Sequence, residues 1–449
     1  MTSTLSRAID NYPNRFDPAA LDALPDRLQR TIRRRSDVLG PGYTLIYREP
    51  VEFVSGRGAH LFDRDGNDYL DAYNNVPCVG HAHPRVVEAV SQQIAMVNTN
   101  TRYVEEALVD YAERLLATFP AELSRVSFAC SGSEANDLAM RVAKFHTGNE
   151  GVIVTRWAYH GITREVASFS PSLGDGSPLG PAVRVVDAPD PRAIPPGVTL
   201  ADHMVAEVRA AIVDLERHGH RLAAFISDSA YSSDGIFTHP VGYLPDVVDA
   251  VHSAGGVYIA DEVQAGFARL GESMWGFSRH QVLPDIVTMG KPMGNGLPIS
   301  GVVFRPEVCE EFGRSVRYFN TFAGSSIPVA AATAVLDVFE EEGVPARVLG
   351  NGDALRAGLE ELTRESPHVS EVRGSGLYVA VEVVRDREAR VPDRARAEDV
   401  INAMRDRRVL ISGTGRAANV LKVRPPLAFS SADVTRFLDT FAEISRKHL

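Results

Sequence analysis

The sequence predicts an α/β fold: a large domain on a mostly parallel sheet, with a smaller domain beside it. Two stretches carry that expectation. Gly255-Gly-Val-Tyr-Ile-Ala runs into Asp261, and Ile286-Val-Thr-Met runs into Gly290-Lys291. Each is a short apolar run of strand-forming residues that ends in functional side chains. A third observation is order, because such runs alternate with helical patterns through the middle of the chain, as βαβ units do. Ligands bind a sheet of this kind beyond the carboxyl ends of its strands. Asp261 and Lys291 are therefore expected to stand at one edge.

Bulk properties narrow the class. The 449 residues exceed what one compact core holds, so two domains are expected. A hydrophobic share of 44% and a charged share of 23% are those of an ordinary soluble globular protein. The formal net charge of −11 argues against a nucleic-acid surface or an anionic membrane as partner. No apolar run reaches the length of a membrane span. Met1-Thr-Ser-Thr-Leu-Ser-Arg lacks an apolar signal core, so a cytoplasmic location is expected. Cys78, Cys130 and Cys309 are too scattered for a disulfide framework or a zinc site. Cys130 reads as a small buried hydrophobe.

In chain order, the polar first 40 residues carry Arg33-Arg-Arg35, a pattern usual for a solvated helix face. Residues 44–71 alternate apolar and polar around turn signals and read as an antiparallel meander. His81 and His83 precede a helix expected from Pro84. With no cluster of further ligands they read as turn and capping residues, with a metal site second. Asn98-Thr-Asn-Thr-Arg-Tyr103 opens a second helix. Its polar residues are either caps or, in Arg102, a binder of a substrate anion. The run 126–130 then turns through Ser131-Gly-Ser133 into a helix with Ala135, Leu138, Ala139, Val142 and Phe145 on one face. A strand, a small-residue turn and a helix N-terminus make an anion site, and Gly132 and Ser133 are its phosphate ligands.

Gly151-Val-Ile-Val-Thr is a further strand, ending near Tyr159-His-Gly161. Residues 170–200 read as a long loop holding one strand, 183–186. Leu222 to Ser227 reaches Asp228, and a helix from Pro245 leads back to the Asp261 strand. Ile299 to Phe304 is another strand. From 329 onward the pattern changes to helices and a small antiparallel sheet, with a strand at Val420-Leu-Lys-Val and a Ser430/Asp433 cap on the last helix. Val409-Leu-Ile-Ser-Gly-Thr-Gly-Arg-Ala-Ala418 matches a dinucleotide fingerprint by letter, but no helix pattern follows it, so it is set aside.

A lysine and an aspartate in one crevice suit pyridoxal 5'-phosphate. The lysine forms a Schiff base, and the carboxylate keeps the pyridine nitrogen protonated. On these motifs, from about Tyr43 to the C-terminus, the chain resembles the class III aminotransferases of the fold type I pyridoxal-phosphate enzymes. The resemblance implies a large cofactor domain at 76–328, with a small domain drawn from 1–75 and 329–449. It implies roles as well. Tyr159 stacks on the cofactor ring, Gln264 bonds its phenolic oxygen, and Thr321 reaches the neighbour's cofactor phosphate across a homodimer. Tyr73, Asn75 and Val76 line the substrate entrance. Asp228 stands where the family usually has Glu, and Lys422 or Arg424 meets a substrate carboxylate. Gly324-Ser-Ser326 replaces the family's Gly-Asn-Pro. The implied reaction is transamination between an amine and a keto acid. Asn-Thr-Asn-Thr-Arg-Tyr, Gly-Lys-Pro-Met-Gly-Asn-Gly and Leu-Lys-Val-Arg-Pro-Pro-Leu also resemble the family's phospho-lyases, and the cations Arg102, Lys422 and Arg424 favour that alternative. Asp228 and Asp234 disfavour an anionic leaving group.

Overall fold

The computed structural model describes residues 14–449, so the reading of Met1–Arg7 falls outside the described residues. The strands, in chain order, are β1 (Phe53–Arg57), β2 (His60–Asp63), β3 (Asp68–Asp71), β4 (Arg125–Ala129), β5 (Gly151–Thr155), β6 (Val183–Val186), β7 (Leu222–Asp228) and β8 (Val257–Asp261). They continue with β9 (Ile286–Met289), β10 (Ser300–Phe304), β11 (Val369–Ser375), β12 (Tyr378–Val383), β13 (Val409–Leu410), β14 (Ser412–Thr414) and β15 (Val420–Val423).

Seven of them form the central sheet, in the order β4-β10-β9-β8-β7-β5-β6. The ladders from β6 through β9 are parallel. Strand β10 runs antiparallel to both β9 and β4. The connection from Met289 to Ser300 is a run of turns with no helix, so the chain returns antiparallel instead of crossing over. The expectation of a mostly parallel sheet holds with that one reversed strand. Strands β5, β8, β9 and β10 are buried along their whole length, which explains their unbroken apolar spelling.

Two smaller sheets, β1-β2-β3-β13 and β11-β12-β15-β14, carry the two ends of the described chain. Strand β13 pairs parallel with β3, joining Val409 to Leu70. The Arg424 N–H then donates to Ala72 O at 2.8 Å, and the Leu427 N–H to Cys78 O at 2.6 Å. The set-aside fingerprint is β13 and β14, with no helix after it.

Several local readings are corrected. His83 occupies the N-cap of helix Pro84–Ile94 without a side-chain cap bond, and His81 Nε2 instead lies 2.7 Å from Asp71 Oδ2. No group of three or more potential metal ligands occurs among the described residues. Helix Glu106–Leu116 starts at Glu105 with no side-chain cap, while Asn100 Oδ1 folds back onto the Arg102 N–H at 3.1 Å. Phe145 is 41% exposed, its ring edge-on to Phe312, because it sits at the helix's last turn, beyond the sheet. Arg33 and Arg34 are exposed on helix Asp26–Val38. The Ser430/Asp433 capping box on helix Ser431–His448 is present as expected.

Candidate active site

Strand register brings the site together. Asp228 pairs with Asp261 across β7 and β8, and Asp261 pairs with Thr288 across β8 and β9. Lys291 follows in the turn after β9. The Asp261 carboxylate is buried, and a buried carboxylate needs donors. Oδ1 accepts from the Val263 N–H at 3.0 Å; Oδ2 accepts from Asn136 Nδ2 at 2.9 Å and from His160 Nδ1 at 2.7 Å. Asn136 also donates to His160 O at 2.7 Å and accepts from Thr288 Oγ1 at 2.7 Å. One side chain thus locks three elements around the carboxylate.

Burial lowers the Lys291 amine to about 8, with the Arg424 charge adding to the effect and Asp261 and Asp228 opposing it. An amine near neutrality can exchange protons in both directions.

The anion turn lies beside them. Ser131 Oγ caps helix Gly132–Thr147 by accepting from the Glu134 N–H at 3.3 Å, which leaves the Gly132 and Ser133 amides at the helix's open end. A Cβ on Gly132 would stand 2.8 Å from Val263 Cγ1. Gly161, at φ +143°, packs so closely that a Cβ there would meet Ser133 Oγ at 2.4 Å. Ser133 Oγ itself accepts from the Ile162 N–H at 3.1 Å. Ser131, Gly132, Ser133, Tyr159, Asp228, Asp261, Gln264, Lys291 and Val76 all line one cavity of about 310 Å³.

Basic residues stand behind one lining residue, Gln264. Gln264, which lines the cavity, accepts at Oε1 from Asn75 Nδ2 at 3.1 Å and from Arg424 Nη1, so its amide nitrogen is the end left to donate. Arg424 also donates to Tyr73 O, from Nε at 3.3 Å and from Nη2 at 3.2 Å. The Arg424 and Lys422 head groups lie 5.5 and 5.7 Å from the Tyr73 ring centre. Among the described residues neither forms a salt bridge. Burial, then Arg424 and Lys291, pushes the Lys422 amine well below its ordinary value. Burial and the Asp261 charge raise the Asp228 carboxyl, whose oxygens accept from the Ala230 and Ser232 N–H groups, each at 2.9 Å. Asp234 faces away from the cavity, accepting from Thr155 Oγ1 at 2.7 Å and the Trp157 N–H at 2.9 Å.

Two expected residues are not brought in by this chain alone. Arg102 is exposed, stacked 3.8 Å over the Phe319 ring. Thr321 is exposed in the adjoining loop, which Asn320 ties to Glu134 Oε2 at 3.0 Å. Sequence reading passed over His160 and Asn136. His160 was visible within the Tyr-His-Gly string, but nothing in the spacing linked it to Asp261, 101 residues away.

Similarity to known proteins shows the family. The family model described as "Aminotransferase class-III" matches residues 47–444. The chain belongs to the class III aminotransferases. Members of this family depend on pyridoxal phosphate, and the site has the parts that group requires: an amine, a facing carboxylate and a helix end for its phosphate. The chain is 40% identical over 92% of its length, and 86% of the relative's, to an "Alanine--glyoxylate aminotransferase 2-like" protein of Drosophila melanogaster. It is 35% identical to "Ethanolamine-phosphate phospho-lyase homolog 1" of Caenorhabditis elegans, covering 96% of each. Among solved structures, an Arthrobacter phospholyase in complex with phosphoethanolamine superposes with a TM-score of 0.90 at 42% identity, over 93% of this chain and 99% of that one. An (S)-enantioselective omega-transaminase from Thermomicrobium roseum gives 0.85 at 26% identity, over 95% and 99%. The fold is that of the type I pyridoxal-phosphate enzymes, and this chain is an enzyme of that kind. No helix among the described residues is long and apolar enough to cross a membrane.

Proposed function

We propose that this enzyme removes phosphate and ammonia from a small phosphorylated amino alcohol. The observation that carries the reading is the pair Arg424 and Lys422, a guanidinium bonded to the cavity-lining Gln264 and a buried amine that a bound dianion would keep protonated, neither in a salt bridge among the described residues. One cation suffices for a carboxylate, whereas two together suit a phosphate dianion. The acidic residues counted against an anionic leaving group do not oppose it. The Asp234 carboxylate is turned toward Thr155, and Asp228 has both oxygens engaged by backbone N–H groups. The phospholyase likeness at 42% identity supports the same reading, against 26% for the omega-transaminase.

When bound, the cofactor delocalises the electron pair left on the substrate carbon. The chain does the rest. Ser131, Gly132 and Ser133 would hold the cofactor phosphate, Tyr159 would stack on its ring, Asp261 would keep its ring nitrogen protonated and the Gln264 amide would bond its phenolic oxygen. Lys291 Nζ takes the proton from the carbon bearing the nitrogen. The carbon–oxygen bond to phosphate then breaks, and its electron pair leaves with the phosphate held by Lys422 and Arg424. Substrate plus water gives aldehyde, ammonia and phosphate. Tyr73, Asn75 and Val76 border the substrate, and the described part of 1–75 together with 329–449 forms a small domain beside the large one at 76–328.

A homodimer completes the site in this reading, with Thr321 and Arg102 supplied to the neighbour. An exposed apolar surface supports it, since Val104 and Phe322 near those residues are 103% and 70% exposed. Transamination is the second reading, favoured by the 40% identical aminotransferase 2-like relative. The test is to give cofactor-loaded enzyme phosphoethanolamine, amino acids and ω-amines with no keto acid. Release of phosphate and ammonia over many turnovers establishes the lyase. A single turnover that leaves the cofactor as its amine establishes transamination.

A further inference from the structure

Arg269 is fully buried, and the chemistry above makes no use of it. It lies in the run of turns that follows β8, downstream of Gln264. Among the described residues it forms no salt bridge, and its Nε and Nη2 have no hydrogen-bond partner. Nη1 alone is engaged, donating to Leu377 O at 3.0 Å and to Pro425 O at 2.5 Å. Burial, with the like charge of Arg424 adding to it, lowers the guanidinium to about 9, so it is still charged at neutral pH.

Both acceptors are well placed. Leu377 lies in the turn from β11 to β12, and Pro425 directly follows Arg424. The turn is pressed against the Arg269 segment. The Leu377 N–H donates to Arg269 O at 3.2 Å, and Ser375 Oγ donates to Leu270 O at 2.9 Å. Gly376, at φ +53°, comes so near that a Cβ there would stand 2.6 Å from Arg269 O. The approach to Arg269 is strained as well. Phe267 and Ala268 have φ of +57° and +55°, which residues with side chains adopt only when their surroundings impose it. One segment therefore grips Arg424 twice. Gln264 accepts from its guanidinium, and Arg269 holds the carbonyl of the next residue.

A neutral donor could satisfy those carbonyls at a smaller desolvation cost, because burying a charge without a carboxylate is unfavourable. What the charge adds is positive potential close to Arg424, and that favours a bound anion. Resting on the reading of Arg424 as the holder of the substrate's anionic group, we propose that Arg269 is a positioning residue: it sets Arg424 for that group and strengthens the field that attracts it.

The experiment uses cofactor-loaded full-length enzyme and the variants Arg269→Gln and Arg269→Lys. Arg269→Gln should raise KM for phosphoethanolamine about tenfold with kcat held, and Arg269→Lys, which keeps the charge and a donor, should recover most of the loss. In an Arg424→Met background, Arg269→Gln should raise KM no further, since it acts through Arg424; additive increments would overturn the proposal. Amide hydrogen exchange supplies a readout that needs no turnover. The Arg424 and Leu427 N–H groups, bonded to Ala72 O and Cys78 O, should exchange about tenfold faster in Arg269→Gln. The Glu262 N–H, bonded to Thr288 O, should keep its rate. Unchanged exchange at Arg424 and Leu427 would overturn the proposal whatever the reaction is. Faster exchange with KM unchanged would overturn it too, by making Arg269 only a support of the fold. If Arg269→Gln does not fold, the wild type with and without inorganic phosphate decides. Phosphate should slow exchange at Arg424, Leu427 and Leu377 together, and no protection at Leu377 would count against Arg269. If the wild type released no phosphate from phosphoethanolamine, the lyase reading would fail separately, and the exchange measurements would still decide the role of Arg269.

Discussion

Replacing Gly161 with alanine puts the proposed cofactor-phosphate turn under a calculable load. The new Cβ would lie 2.4 Å from Ser133 Oγ and 2.7 Å from Ser133 Cα, where ordinary contact begins near 3.4 Å. Rotating the hydroxyl away relieves the first contact but not the second, so the Ser133 backbone must retreat by about 0.7 Å (3.4 less 2.7). The φ of +143° adds strain of about 1–3 kcal/mol for any residue with a side chain. A displaced Ser133 amide loses much of a bond to a charged phosphate, worth about 1.5–3 kcal/mol. Gly161→Ala is therefore expected to bind pyridoxal phosphate roughly 10- to 100-fold more weakly. Titration of cofactor-free enzyme, followed by absorbance, measures this. Gly176→Ala is the control, because a Cβ there meets nothing within 4 Å. If Gly161→Ala kept wild-type affinity and normal folding, Ser133 would not be holding the phosphate.

Lys291→Ala should abolish turnover and covalent attachment of the cofactor while leaving non-covalent binding measurable; normal activity in this variant would place the chemistry elsewhere. Capture of the cofactor aldehyde by cofactor-free enzyme should speed up as pH rises and level off above about 8, because only the neutral amine reacts and burial has lowered Lys291 to that value. Stability follows the same sign. The folded chain disfavours the protonated amine, so the penalty is full below about 8 and is relieved as pH climbs toward the ordinary 10.5, which a Lys291→Met comparison of melting against pH would detect. Asn136→Ala removes the bonds to Asp261 and His160 O and the acceptor for Thr288. It should destabilise the protein by about 3 kcal/mol in denaturant unfolding; a loss under about 1 kcal/mol would show the three bonds to be dispensable. Arg424→Met should raise KM for phosphoethanolamine far more than for an uncharged amine, and equal effects on both would remove Arg424 from phosphate recognition.

The large sheet was legible because β5, β8, β9 and β10 are short and buried along their whole length, and because Asp261 ends one of them and Lys291 follows another. Strand order was not legible. Nothing in the spelling of Ser300–Phe304 says that it runs against its neighbours; that follows from the helix-free link after Met289. Lys422 and Arg424 could both be named from the resemblance, and their spacing put them on one strand face, but their shared association with Tyr73 joins segments some 350 residues apart, and one-dimensional pattern carries no such contact. His160 and Asn136 were hidden for the same reason. Arg102, read as either an anion binder or part of a helix cap, and Thr321, which the resemblance sends to a neighbour's cofactor, are both exposed and line no part of this chain's cavity.

The groups proposed to act on the cofactor hang from the central sheet, while Lys422 and Arg424 come from β15 and its flank, joined to the meander by the pairing of Val409 with Leu70. The enzyme is thus divided into a reactor and an adaptor encoded in separate stretches of sequence. Substitutions in the adaptor can redirect the enzyme toward a new substrate while the bond-breaking apparatus stays intact, and a family built this way can diversify by editing its last strands.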